Sequence, residues 1–194
     1  MANNYSNIPD ETLYEYLKSN DKRATLNAFN EIYRRYSTKV YTYCRKVLNN
    51  DPAADDIFQE TFTRLCEGAK NDRVMTNLSG YIFKIARNLC LTEKPRLMNV
   101  MVQLEDIQLP IYDKNYGQQE LENIVELTIQ SLPEIYREVI IMKEYMNLSY
   151  CEISENLNIS MTVVRVRIFR AKQKLRELLL PYLEDFDREI KKQG

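Results

Sequence analysis

Six basic side chains and no acidic one lie between residues 159 and 176. Positive charge at this density is suited to binding a polyanion, and a helix that carries it can follow the phosphate backbone of DNA. The flanking sequence has the opposite sign, because residues 121–158 hold seven acidic side chains against two basic ones and residues 177–194 hold five against three. The positive charge is therefore concentrated on one element. The alternative explanation is a solvated face of an ordinary helical bundle.

A helix-turn-helix is the element that would position these cations. Ser149 and Glu152 have the spacing of a capping box, which predicts that a short helix starts there. Asn158 tolerates the left-handed conformation that a tight turn needs, and Ser160 is suited to cap the following helix. The stretch 148–175 therefore predicts a short helix, a turn and a longer second helix.

The second helix of this pair has two faces of different character. Its apolar residues recur at spacings of three and four, which predicts a packing stripe of Val164, Ile168, Ala171, Leu175 and Leu178. The opposite face suits a DNA major groove in shape and charge. It carries Thr162, Val163, Val166, Arg167, Arg170 and Lys174. Arg165 flanks the stripe, where we expect it to touch phosphate rather than a base.

The composition of the 194 residues is that of a soluble globular protein, with 44% hydrophobic and 28% charged residues. The formal net charge of −1 is unusual for a protein that binds DNA tightly by itself. We therefore expect either weak binding to free DNA or a protein partner for the acidic surface. There is no run of eighteen apolar residues and no basic N-terminal flank before an apolar core, so we expect a cytoplasmic protein.

No set of residues in the sequence suggests catalysis or metal binding. The chain has no histidine, and its four cysteines (Cys44, Cys66, Cys90 and Cys151) are too far apart for metal-ligand spacing. Each cysteine lies among apolar helix positions and is expected to be a buried free thiol. A glycine-rich phosphate loop and a nucleophile elbow are also missing. We therefore expect a protein that is not an enzyme and uses no metal or cofactor.

Four glycines and six prolines, with apolar residues at helical intervals, predict an all-α protein. The helices expected in the first half are 10–17, 27–48, 53–67 with Asp51 as N-cap, and one that Ser79 caps and Pro95 ends. Further helices are expected at 121–132 and 133–146, and Pro181 is expected to bend or end the last helix.

The loss of periodicity between residues 96 and 120 predicts a flexible linker. The chain is thus expected to form two small helical domains, at 1–95 and 121–194, with the helix-turn-helix in the second.

Three motifs follow one another along the chain. They are DDIFQETF at 55–62, YIFKIARNL at 81–89, and LPE at 132–134, followed by the helix-turn-helix that ends in FRAK at 169–172. In order and spacing they resemble the bacterial RNA polymerase sigma factors of the extracytoplasmic-function group, over roughly residues 20–180. The resemblance implies a subunit that binds core RNA polymerase, recognises promoter DNA and helps to melt it.

The resemblance also implies roles for three groups of residues. Those that would dock on the clamp helices of the largest polymerase subunit are Asp55, Asp56, Gln59 and Glu60. Those that would meet the opening minus-ten promoter element are Tyr81, Phe83, Lys84, Arg87 and Asn88, and the loop at 70–77 lies where the family captures a flipped base. Those that would read the duplex minus-thirty-five element are Ser160, Thr162, Val163, Arg165, Val166, Arg167, Arg170 and Lys174. An anti-sigma factor is a common partner in the family, although no feature of this sequence shows one.

Two other functions stay open from the sequence. A helix-turn-helix regulator that binds its operator unaided would bind duplex DNA tightly without polymerase. A degenerate sigma-like protein would bind polymerase without opening a promoter, and Pro95, where the family usually continues a basic helix, is its main support. For single residues, the helix dipole also favours Asp55 and Asp56, and Tyr81 is as compatible with a core position as with DNA.

The recognition helix departs from the family at Val163 and Val166, where threonine and serine are usual. Methyl groups replace two hydroxyl groups there, so we expect an apolar contact with a thymine methyl group. The variant Val166→Ser is therefore expected to change the preferred base at the contacted position. Unchanged base preference in a promoter-selection assay would contradict this contact.

Overall fold

The computed structural model describes residues 5–71, 75–100 and 118–193, and within these ranges the chain is helical and contains no β-strand. A 3₁₀ turn at Tyr5–Asn7 precedes the helices α1 (Asp10–Leu17), α2 (Lys22–Leu48), α3 (Asp51–Ala69), α4 (Leu78–Val100), α5 (Gln118–Ser131), α6 (Glu134–Ile140), α7 (Tyr150–Leu157) and α8 (Met161–Gln193). A π-helical turn at Ile141–Tyr145 extends α6. The expected all-α class is confirmed. Most of the expected linker, residues 101–117, lies outside the described residues.

Helix α2 is the central element of the N-terminal domain and contacts α1, α3 and α4. One stripe of the helix is buried along its whole length, with residues four apart: Ala28, Ile32, Tyr36, Val40, Cys44 and Leu48. Full burial of a side chain such as Ile32 contributes about 1.5–3 kcal/mol. This stripe therefore holds the other three helices around α2.

Three helices have other N-terminal caps than expected, and in each a side chain accepts a hydrogen bond from a backbone N–H of the first turn. Helix α2 begins five residues earlier than expected, because the Asp21 side chain accepts a bond of 2.9 Å from the backbone N–H of Arg23. Asn50, and not Asp51, caps α3. The Asn77 side chain, and not that of Ser79, accepts a bond from a backbone N–H in the first turn of α4.

Both prolines that were expected to interrupt helices lie inside them. Helix α4 continues through Pro95, and α8 continues through Pro181. A proline inside a helix leaves the carbonyl of the residue four positions earlier without its N–H partner. Those residues, Leu91 and Glu177, are exposed, so water can reach the freed carbonyls. The expected helix end at Pro95 is therefore wrong, and α8 does not end at Pro181.

The helix-turn-helix of the C-terminal domain has the expected geometry. The Ser149 side chain accepts from the N–H of Glu152, whose carboxylate accepts from the N–H of Ser149. Asn158 has a φ of 52°, in the left-handed region, and the Ser160 hydroxyl accepts from a backbone N–H in the first turn of α8. The predicted caps and turn are confirmed.

The two domains share one buried apolar cluster. Helix α2 contacts the π-helical turn, and α4 contacts α7. The cluster runs from Ile32 and Phe83 in the N-terminal domain to Ile141, Ile153 and Val164 in the C-terminal domain. The domains are therefore packed against each other.

The structure corrects one expectation about the thiols. Cys44 and Cys90 are buried and Cys66 is half-buried, but Cys151 is exposed in the first turn of α7. Among the helices of the described ranges, none is long and apolar enough to cross a membrane.

A charged network fixes the N-terminal segment to α2. Arg35 donates to the buried carboxylate of Glu31 at 2.7 Å, to Asp10 at 2.6 Å and to the backbone carbonyl of Ile8 at 2.9 Å. The guanidinium groups of Arg34 and Arg35 lower the pKa of Glu31 to about 2. The hydrogen bonds from Arg34 and Arg35 thus compensate the Glu31 carboxylate for the hydration that it loses on burial.

Glu31→Gln is expected to lower the free energy of unfolding at pH 7 by roughly 1.5–3 kcal/mol, because charge-assisted hydrogen bonds are lost. A depressed pKa stabilises the fold above the ordinary glutamate value and loses that effect as the pH falls toward 2. The difference between wild type and variant should therefore shrink below pH 4.5, as measured by urea unfolding. Glu15→Gln, which removes an exposed carboxylate from its pair with Lys18, is the control and should change stability by less than about 1 kcal/mol.

Candidate functional site

The first turns of α8 form an exposed basic face. The packing stripe anchors it, since Val164, Ile168 and Ala171 are buried. The residues expected on the outward face are exposed or, for Arg167, partly exposed: Ser160, Thr162, Val163, Arg165, Val166, Arg167, Arg170 and Lys174. The predicted two-faced helix is confirmed.

The cations on this face are available to a ligand. Within the described part of the chain, the side chains of Arg165, Arg167, Arg170 and Lys174 have no acidic partner within salt-bridge distance. Lys172 lies on another side of the helix and pairs with Glu144 at 2.9 Å. Four unpaired cations on an exposed face can neutralise phosphate groups at little desolvation cost.

A shallow apolar cleft of about 220 Å³ borders the basic face. Its walls include Ile135 and Tyr136 of α6 and Val163 and Val166 of α8. Ile135 is exposed although it is a large aliphatic residue. The sequence did not indicate that Ile135 lines this cleft, because Ile135 is distant along the chain from the recognition helix.

The aromatic residues of the YIFKIARNL motif are not on the surface as a group. Phe83 is 1% exposed and packs against Tyr43 at a ring distance of 6.4 Å. Tyr81 is partly buried and meets Tyr14 edge to face at 6.2 Å. The expected exposure of Phe83 is wrong, because Phe83 packs on Tyr43 of α2 while the neighbouring Ile82 is buried as well. In this arrangement Phe83 has no surface to offer to DNA.

The polar residues of the same motif face the C-terminal domain or solvent. Lys84 and Asn88 are exposed, and Lys84 lines a cavity of about 180 Å³ together with Glu155 and Asn156 of α7. Arg87 donates to Glu138 of α6 at 2.7 Å. Of the loop at 70–77, residues 72–74 lie outside the described residues.

The acidic face of α3 lies on another side of the N-terminal domain. Asp55, Asp56 and Gln59 are exposed, and the partly exposed Glu60 accepts from Arg64 at 2.7 Å. A hydrogen bond to Asp55 raises the pKa of the Tyr41 phenol. The structure therefore brings the four predicted docking residues together on one surface.

Aromatic side chains continue this acidic face. Tyr33 and Phe62 are 5.0 Å apart, Phe58 and Phe62 are 5.3 Å apart, and all three line a cleft of about 530 Å³ with Gln59. Tyr33 is 41% exposed. This apolar part of the surface was not among the residues singled out from the sequence.

No cluster of three or more histidine, cysteine, aspartate or glutamate residues suited to a metal ion occurs among the described residues. The candidate residues lie on three protein surfaces: the acidic face of α3, the polar face of α4 and the basic face of α8.

Family models match both halves of the chain. The model described as Sigma-70 region 2 matches residues 32–97, and the model described as Sigma-70, region 4 matches residues 122–175. The first match contains α3 and most of α4, and the second ends within α8.

Curated relatives match over most of their length. The ECF RNA polymerase sigma factor SigW of Bacillus subtilis is 30% identical over 172 residues, which cover 81% of this chain and 92% of the relative. The ECF RNA polymerase sigma-E factor of Haemophilus influenzae is 28% identical over 193 residues, covering 91% and 98%.

Two solved structures share the fold. CnrH, in complex with the cytosolic domain of CnrY, superposes with a TM-score of 0.66 at 20% identity, covering 88% of this chain and 96% of that one. The sigma factor RpoE from Bartonella quintana, in complex with the anti-sigma factor NepR, gives a TM-score of 0.62 at 19% identity, covering 78% and 96%.

Replacing Arg167 and Arg170 by alanine together is expected to weaken duplex DNA binding and to make it less dependent on salt. Each phosphate contact contributes roughly 0.9 to the slope of log affinity against log salt concentration, so the slope should fall by up to about 2. Fluorescence anisotropy at several salt concentrations measures this. Lys172→Ala is the matched control, because this cation of the same helix pairs with Glu144. An equal slope change in both variants would show that the basic face is misassigned.

Proposed function

Because the chain belongs to the extracytoplasmic-function group of RNA polymerase sigma factors, we propose that its three surfaces divide the steps of transcription initiation. The protein binds core RNA polymerase and promoter DNA and directs promoter-specific initiation. In the proposal, α3 docks on polymerase, α4 holds the opening minus-ten element and α8 reads the minus-thirty-five element.

The observation that carries the proposal is the separation of charge between the two domains. Four cations that have no acidic partner among the described side chains cover the exposed face of α8, whereas Asp55, Asp56 and Glu60 make one face of α3 acidic. A phosphate backbone is attracted to the first surface and repelled by the second. The chain therefore has one surface for duplex DNA and a different surface for a protein.

The face of α3 has the features of a protein interface. Exposed carboxylates beside the aromatic cleft of Tyr33, Phe58 and Phe62 combine a polar rim with an apolar centre. Aromatic side chains contribute strongly to binding when a partner buries them. We assign this face to the clamp helices of the largest polymerase subunit.

For the minus-ten element, the proposal relies on the polar residues of α4. Lys84 and Asn88 are exposed, and with Arg87 they occupy one side of the helix over one turn. Cations there can hold the backbone of a separated strand, and guanidinium groups can stack on unpaired bases. Tyr81 and Phe83 support this side of the helix from within the domain. The protein itself catalyses no reaction in this scheme.

The function is tested by incubating the purified chain with bacterial core RNA polymerase and transcribing a genomic DNA library. We expect a stable complex and transcripts with defined 5′ ends, which also reveal the promoter sequence. Polymerase binding without transcripts would instead support a degenerate sigma-like protein. No polymerase binding, together with tight operator binding, would support a free regulator.

Asp56→Arg combined with Glu60→Arg is expected to lower the affinity for core polymerase at least tenfold, since both charges are reversed within one face. Pull-down or biolayer interferometry measures the loss, and duplex binding by α8 should stay unchanged. The control is Glu11→Arg with Glu15→Arg, which reverses two exposed charges on α1 and should retain polymerase affinity. Equal affinity of the first variant and wild type would contradict the docking face.

A further inference from the structure

The apolar cleft beside the basic face of α8 is formed by two helices that are separate in the sequence. Ile135 lies in the first turn of α6, whereas Val163 and Val166 lie in the first two turns of α8. The three side chains are 48%, 39% and 43% exposed, respectively. Three large aliphatic side chains around one cleft thus offer apolar surface that the fold does not cover.

The two walls of the cleft are held in place by the packing of α6 on α8. Tyr136, the neighbour of Ile135, packs against the buried cluster of Leu132, Ile140 and Ala171. This cluster joins the two helices, because Ile140 belongs to α6 and Ala171 to α8. The cleft is therefore formed before a ligand arrives, and binding there requires little ordering of the chain.

The charged residues at the cleft indicate which ligand it suits. Arg167 and Arg170 line it as well, and among the described side chains neither has an acidic partner within salt-bridge distance. None of the described residues that line the cleft is acidic. A purely apolar ligand would leave both guanidinium groups without an acceptor, whereas duplex DNA supplies phosphate oxygens for them. The cleft therefore suits a part of the duplex that is apolar and lies close to phosphates.

Thymine has such a group. Its C5-methyl group is the apolar feature that distinguishes it from the other three bases in the major groove. A methyl group that leaves water for contact with aliphatic side chains strengthens binding about fourfold. Valine at positions 163 and 166 alone would offer one wall for this contact, and Ile135 supplies the second wall.

We propose that Ile135 is a specificity-determining residue for the minus-thirty-five element. Ile135, Val163 and Val166 enclose the methyl group of one thymine, while Arg167 and Arg170 bind phosphates beside it. This assignment rests on the proposed role of α8 in reading duplex DNA. It extends base reading beyond the recognition helix, because α6 lies outside the helix-turn-helix.

Deoxyuridine is a direct probe of this contact, since it differs from thymidine only in lacking the C5-methyl group. The purified full chain first selects its tightest duplex from a randomised library, and each thymine of that site is then replaced singly by deoxyuridine. Fluorescence anisotropy should show one position at which the replacement weakens binding about fourfold. Equal affinity for all substituted duplexes, or a selected site without thymine, would overturn the inference.

The variant Ile135→Ala connects the methyl group to α6. Its preference for thymine over deoxyuridine at the responsive position should fall to about twofold or less, because one wall of the cleft is lost. Leu180→Ala is the matched control, since Leu180 is 47% exposed and does not line the cleft. It should keep the fourfold preference, and circular dichroism checks the folding of both variants. A full fourfold preference in Ile135→Ala would overturn the inference.

The deoxyuridine duplex also separates base reading from a general loss of affinity. Ile135→Ala should bind this duplex as tightly as the wild-type chain does, because the methyl group is already absent. Equal weakening on the thymine and deoxyuridine duplexes would instead show that Ile135 only supports α8, which would overturn the inference.

The outcome for the cleft is independent of the outcome for the proposed function. Methyl dependence that Ile135→Ala reduces, in a chain that fails to bind core polymerase, would support the cleft and contradict the proposed function. Polymerase binding with defined transcripts, but without any methyl dependence, would support the proposed function and overturn the role of Ile135.

Discussion

The length and burial of α2 determine how the rest of the chain is arranged. Helix α2 has 27 residues, and buried side chains recur at every fourth position from Ala28 to Leu48. Other elements of the fold must pack on this apolar stripe to keep it from water. Helices α1, α3 and α4 cover it within the N-terminal domain, and the π-helical turn contacts α2 from the C-terminal domain. The faces of α3 and α4 that point away from α2 are consequently left for solvent or for contacts outside the N-terminal domain. Their orientation follows from how they pack on this one helix.

Charge is arranged differently inside the chain and toward its partners. The four cations on the basic face of α8 have no acidic partner among the described side chains. Arg87, Lys94 and Lys46, in contrast, all meet carboxylates of the other domain. Partly buried pairs of this kind are stable only when both partners are present, because either ion alone keeps its desolvation cost. The contact between the two domains therefore depends in part on matched charges, beside the shared apolar cluster. The apolar core beside the interface has no such dependence on paired charges.

Local signals allowed much of the fold to be predicted from sequence. Ser149, Glu152, Asn158 and Ser160 act within a few residues of one another, so the helix-turn-helix could be read directly from their order. The spacing of apolar and polar residues likewise predicted the buried stripe and the exposed face of α8. The exposed acidic face of α3 followed from the same periodicity, although its function was implied only by resemblance.

Features that depend on tertiary contacts could not be predicted in this way. Phe83 was assigned to the surface because periodicity cannot show that two adjacent positions of α4 are both buried. Pro95 was expected to end its helix, since a sequence does not show that the freed carbonyl meets water. The pair of Arg87 with Glu138 joins residues 51 positions apart in the chain. Such a contact arises from how two finished domains meet.

The passage of α4 through Pro95 to Val100 also limits how far apart the two DNA-binding surfaces can move. The covalent connection between the domains is shortened to residues 101–117, and a fully extended chain of that length spans at most about 60 Å. Once the domains separate, this tether sets the greatest distance between their attachment points. In the proposed function, this distance limits the spacing of the two promoter elements that a single chain can engage at once.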